Sequence, residues 1–169
     1  MSSASRRRAS VPTHIDTALP PYEAAYAFGV PQSRVTVAAA TVPAMGRGLF
    51  VSDPVGFRCG ETITVYAGEA VWNTKVAAEE RDAAYMRTVM HGFLAIDGLR
   101  TPTVGAGAGS FANDPIDATA VNAKFVVRDM APRVEVVATR DLVRDEEVYV
   151  SYGKTYWLRG AAPTAMPAV

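Results

Sequence analysis

Glu146-Glu147-Val148-Tyr149-Val150-Ser151-Tyr152-Gly153, with Tyr156-Trp157 close behind, is the stretch on which the reading of this chain turns. Valine, tyrosine and serine alternate there with the two-residue period of a strand, and the residue types suit a pleated, half-buried surface. Alone, such a strand is ordinary sheet packing. Its setting says more. The acidic turn Asp141-Leu142-Val143-Arg144-Asp145 leads into it, and an asparagine-bearing loop, Gly109-Ser110-Phe111-Ala112-Asn113-Asp114-Pro115, lies upstream, followed by Asn122-Ala123-Lys124-Phe125. Further back stand Tyr66-Ala67-Gly68-Glu69 and Gly46-Arg47-Gly48-Leu49-Phe50.

With 169 residues, 49% of them hydrophobic, the chain reads as one domain with tails and enough apolar surface for a core. Its 17 basic and 17 acidic residues balance, which argues against direct nucleic-acid binding. The single cysteine, Cys59, excludes an internal disulfide framework and a cysteine-rich zinc site, and His14 and His91 do not form a metal pair, so no metal is expected. No apolar run approaches the roughly 18–20 residues of a membrane span. A soluble, intracellular protein is expected. Residues 1–31 read as a mobile basic, proline-containing tail. Arg6-Arg7-Arg8 within it suits nuclear import, so the nucleus is preferred over the cytoplasm, although the Arg/Ser-rich start also permits organelle targeting. Residues 160–169 read as an Ala/Pro-rich tail, leaving 32–159 as the domain.

Inside those bounds the pattern is mostly short strands: Arg34–Val37, Thr62–Tyr66, Phe93–Ile96, Lys124–Arg128, Val134–Val137 and Val148–Ser151. One segment differs. From Thr74 to Met90, four-residue steps such as Ala77, Arg81 and Tyr85 predict a helix, and Gly105 to Gly109 then reads as a flexible connector. The expected class is mainly β with a small helical insert (α+β), built from several short sheets.

Taken in order, the quoted segments resemble the SET domain, the fold of most protein-lysine methyltransferases, over residues 34–157. The resemblance implies a β-clip of short sheets in which the Val148–Ser151 strand threads beneath the asparagine loop as a C-terminal pseudoknot. It implies S-adenosylmethionine as cofactor, held by Gly46, Arg47, Gly48, Tyr66, Asn113, Asp114, Tyr152 and Trp157. Tyr152 is the implied catalytic residue and Glu147 a buried structural one. Tyr85, Phe111, Phe125 and Tyr156 are the implied channel walls, and Phe125, which has no hydroxyl, implies that addition does not stop at one methyl group. The chain departs from the family pattern at Asp114, where histidine is usual, at Gly109-Ser110, where an arginine is missing, and at Val148 and Ser151.

The chemistry accounts for the aromatic enrichment. Methyl transfer from a sulfonium to an amine is an in-line displacement, so the protein chiefly supplies alignment. The amine must be neutral, and neutralising a free lysine of pKa about 10.4 at pH 7 costs roughly 4–5 kcal/mol. A dry aromatic channel lowers that cost. A protein lysine, with a histone tail as the default, is the implied substrate, and a homodimer is allowed. Two rival readings stand beside this one. The first is a catalytically weak SET-like module that binds a peptide or protein. The second is a β-rich interaction protein whose motifs coincide by chance. Residue by residue the plain alternatives are a hairpin turn for Gly46-Arg47-Gly48, a turn for Asn113-Asp114-Pro115, and core packing for each aromatic.

Overall fold

The computed structural model describes residues 32–72, 85–98, 107–128 and 133–158. Eight short strands occur among them: β1 (Val35–Ala39), β2 (Arg47–Val51), β3 (Thr62–Val65), β4 (Gly68–Trp72), β5 (Met86–Val89), β6 (Leu94–Gly98), β7 (Ala123–Arg128) and β8 (Arg133–Ala138). A five-residue helix, α1 (Lys154–Leu158), closes the described chain. The strands form three small antiparallel sheets, ordered β1-β2, β3-β8-β7 and β4-β6-β5.

The hairpin of β1 and β2 pairs Val37 with Leu49, but its turn is not Gly46-Arg47-Gly48 as a unit. Arg47 and Gly48 already belong to β2; the connection is made by a 3-10 turn, Pro43–Met45, which Gly46 closes at φ 71°, its carbonyl accepting from Ala40 N–H at 2.9 Å. Glycine is the residue that reaches that left-handed region without a Cβ clash.

The helix expected over 74–90 fails at its C-terminal end. Met86-Arg87-Thr88-Val89 is β5, paired with β6 through Arg87↔Ile96 and Thr88↔Ala95; residues 74–84 lie outside the described residues. Val89 is buried and Thr88 exposed, the alternation of a strand. Pairing with a neighbouring strand overrides a weak helical period, because a ladder satisfies the same backbone groups and buries Val89 as well. The glycine connector is corrected too, for residues 107–109. These residues are packed, not loose: Ala108 N–H donates to Thr64 Oγ1 at 3.0 Å, and a Cβ on Gly107 would lie 2.2 Å from Val65 O. Glycine serves there for close approach.

The segment that decided the sequence reading crosses between elements. Val148 N–H donates to Leu49 O (2.7 Å) on β2, while on its other side Val150 N–H donates to Asn113 O (2.9 Å) and Tyr149 O accepts from Ala123 N–H (2.9 Å). The bridges to Asn113 and Ala123 are parallel and the one joining Glu147 to Phe50 is antiparallel. Val148 and Val150 point into the main core with Leu49, Val51, Phe111 and Leu142, and both are fully buried. Burial of that kind contributes about 1.5–3 kcal/mol per side chain.

A charged clip fastens the N-terminal hairpin. The Arg34 guanidinium lies 4.1 Å from the Phe57 ring centroid and bonds to Asp53, Glu61 and Gly56 O. The hydrogen bond from Arg34, followed by that from Arg58 N–H, holds the Glu61 carboxyl below its usual range, and the Val55 N–H together with Arg34 does so for Asp53. Carboxyls depressed in the folded state contribute stability above their unfolded pKa values, about 3.9 and 4.3, and lose it as pH falls through the lower folded values. Melting temperature should therefore drop between pH 5 and pH 3, and Arg34→Met should flatten that slope. An unchanged slope in the variant would assign the acid sensitivity to other carboxyls.

Candidate functional site

Asn113 is where the distant segments meet. Its Nδ2 donates to Arg47 O at 2.9 Å and to Glu147 Oε1 at 3.1 Å, joining the glycine segment to the C-terminal strand. Glu147 is buried at 5% exposure and its other oxygen accepts from Thr41 N–H and Tyr149 OH, both at 2.8 Å. The carboxylate can lie there because Gly48 has no side chain; a Cβ would sit 2.1 Å from Glu147 Oε1. Asn122, absent from the sequence-derived site, acts as a strand partner in miniature. Its Nδ2 donates to Glu147 O and its Oδ1 accepts from Tyr149 N–H, each at 2.8 Å.

Asp114 does two things. Its Oδ1 accepts from Ile116 N–H at 2.8 Å, the local turn that its residue type favours, with Ile116 held at φ 66°. Its Oδ2 accepts from Tyr152 N–H (2.6 Å) and from Trp157 Nε1 (3.2 Å), so the asparagine loop is tied to α1. Tyr152 OH donates to Ala112 O at 2.9 Å, and its ring meets Tyr156 edge-on, centroids 4.7 Å apart, and Trp157 in parallel at 6.5 Å. Burial, followed by the neighbouring tyrosines, pushes the Tyr152 hydroxyl above the ordinary phenol range despite the opposing pull of Arg87. It stays protonated.

A second aromatic group adjoins the first. Tyr66 OH donates to Tyr85 O at 2.7 Å, and the Tyr66 ring packs edge-on against Phe125 at 5.7 Å. Phe111 stands apart: it is buried in the main core, with the Arg47 guanidinium 5.1 Å from its ring centroid. The sequence reading overlooked Arg87, whose guanidinium lies against Tyr66, Phe125 and Tyr152. The β-branched pair Thr88-Val89 was the available signal for a strand there, and the helical period masked it.

These residues suit the methionine end of S-adenosylmethionine. Asn113 spends both amide hydrogens within the protein, and among the described residues no donor reaches its Oδ1, an acceptor available to an ammonium group. Backbone of residues 46–48, with one side-chain-free position beside the carboxylate, lies next to it. The hydroxyl of Tyr66 and the indole N–H of Trp157 donate to Tyr85 O and Asp114 Oδ2.

The SET domain family model matches residues 46–153, most of the chain's 169 residues, and the chain belongs to the SET domain family. No curated protein matches the chain. Members of this family are generally protein-lysine methyltransferases that bind S-adenosylmethionine, so the chain holds a methyltransferase-type or SET-like module. Chance coincidence of motifs is thereby excluded.

Proposed function

We propose that this chain is an S-adenosylmethionine-dependent methyltransferase acting on a lysine side chain of a protein, with a histone tail as the first substrate to try. The observation that carries the reading is the junction at Asn113, where residues 66 and 34 positions away in sequence, Arg47 and Glu147, bond to one side-chain amide. Threading of residues 147–150 between β2 and the Asn113 loop supports the SET pseudoknot. The catalytic unit would comprise 32–159, with 1–31 and 160–169 as tails.

In this reading Gly46, Arg47, Gly48 and Asn113 hold the methionine end of the cofactor. Tyr66, Asp114 and Trp157 shape its surroundings. When bound, the cofactor supplies a methyl group on a sulfonium. Tyr152, its proton spent on Ala112 O, presents oxygen lone pairs that accept from an incoming amine N–H. It orients the amine and removes no proton. Tyr85, Phe125 and Tyr156 exclude water beside it, which favours the neutral amine.

Calorimetry decides between enzyme and binding module. The protein should bind S-adenosylmethionine, and Asn113→Ala should weaken binding about tenfold or more, the loss of one hydrogen bond to a charged group. Labelled-methyl transfer to peptides, with a mass-spectrometric product series, then tests the substrate and whether addition continues past one methyl group. No binding at millimolar cofactor would leave the peptide- or protein-binding module as the reading.

A further inference from the structure

Arg87 lies among three rings to which the proposed function gives different parts: Phe125 of the substrate channel, the catalytic Tyr152, and Tyr66 beside the cofactor. Its guanidinium carbon is 4.5 Å from the Phe125 ring centroid, 5.2 Å from that of Tyr152 and 5.4 Å from that of Tyr66. Ordinary pairing does not explain this placement. Among the described residues no carboxylate pairs with Arg87, its Nε is buried with no hydrogen-bond partner, and Nη1 donates only to the neighbouring Met86 O at 3.2 Å. Arginine keeps its charge, and a guanidinium withdrawn from water is normally matched by a carboxylate or by carbonyl oxygens. Here the negative faces of aromatic rings take that part.

Rings gathered about one cation make a site that any alkylammonium group can use. A lysine entering it brings a second cation into the same space, where like charges disfavour one another and the two stems compete for volume. Arg87 has a way out. Its strand β5 is the edge of the β4-β6-β5 sheet, the residue as a whole is half-buried, and a long flexible stem lets the head swing outward. Resting on the methyltransferase reading for the identity of the acceptor, we propose that Tyr66, Phe125 and Tyr152 form a cation-binding chamber whose resting occupant is Arg87, and that the acceptor amine enters by displacing it. The ligand class is a primary or methylated alkylammonium. Arg87 is then an internal competitor that raises the threshold for acceptor binding without taking part in methyl transfer.

The test titrates n-butylammonium and tetramethylammonium chloride into wild-type protein and Arg87→Ala. The variant should bind both cations about tenfold more tightly, the worth of a vacated cation–π site. In a transfer assay it should lower KM for a lysine peptide with little change in kcat. A folded variant that binds the cations no better than wild type would overturn the proposal. Should Arg87→Ala fail to fold, the wild type decides by nuclear magnetic resonance. The Arg87 Nε–H should resonate upfield of an exposed arginine, exchange slowly with water, and move toward the exposed position as tetramethylammonium is added. An unshifted, rapidly exchanging signal would overturn the proposal equally. Cofactor binding is scored separately by calorimetry: alkylammonium binding that tightens in Arg87→Ala, with no S-adenosylmethionine binding by either protein, would retire the methyltransferase reading and leave the chamber standing.

Discussion

Tyr152→Phe should reduce methyl transfer about a hundredfold, the range found when one positioned hydrogen-bonding group is removed from an active site. Cofactor affinity should change little. The hydroxyl bond to Ala112 O is lost, but the second tie between Tyr152 and the asparagine loop, from its backbone N–H to Asp114, is one that phenylalanine retains. Ala112 O loses a donor, so a stability loss of about 1 kcal/mol is expected alongside. The pH profile separates orientation from proton removal. Because burial raises the Tyr152 hydroxyl above the ordinary phenol range, it does not ionise on the way to the lysine pKa. The wild-type rate should climb with pH as the neutral amine fraction climbs, toward a lysine value of about 10.4. Tyr152→Phe should show the same slope at a lower level. A variant with near wild-type rate would remove Tyr152 from the catalytic position and direct attention to Tyr156, the tyrosine packed edge-on against it.

Glu147→Ala should destabilise the fold by about 3 kcal/mol, a melting shift of roughly 10 °C. Thr41 N–H, Tyr149 OH and Asn113 Nδ2 all lose their acceptor at once. Exposed Thr41 finds water, but the Asn113 amide is left with one partner, Arg47 O. Glu147→Gln should cost less, since the amide keeps one acceptor oxygen while turning an NH2 toward groups that themselves donate. Gly48→Ala should be comparably harmful, because its new Cβ would overlap Glu147 Oε1. The two changes should not add: Gly48→Ala in the Glu147→Ala background should cost clearly less than in wild type, since the group it strikes is gone. Strict additivity, measured by urea unfolding of the four proteins in the cycle, would show that Gly48 and Glu147 act independently.

Local chemistry in the sequence reached a good part of this architecture. The alternation at Val148–Ser151 read as a half-buried strand, and the structure buries its two valines while leaving Tyr149 half-buried and Ser151 exposed. β-branched runs marked β3, β7 and β8 to within a residue or two at each end. Asp114 was legible as a turn former from its residue type. These features depend on near neighbours, which the sequence order specifies directly.

Tertiary structure decided the rest. Met86–Val89 carries weak evidence for either a helix or a strand, and only the open edge of β6 tips it to a strand. Gly107 looks like a hinge until Val65 O is found against it. Nothing about Asn113 in its own loop indicates that its amide joins Arg47 to Glu147, and nothing about Arg87 indicates that three rings surround its charge. The sequence by itself determined which residue types were present to bond, stack and pack, and the period of the strands that carry them. Which donor meets which acceptor across 34 or 66 positions was settled only when the sheets closed, because long-range pairing depends on the joint packing of segments that no local window contains.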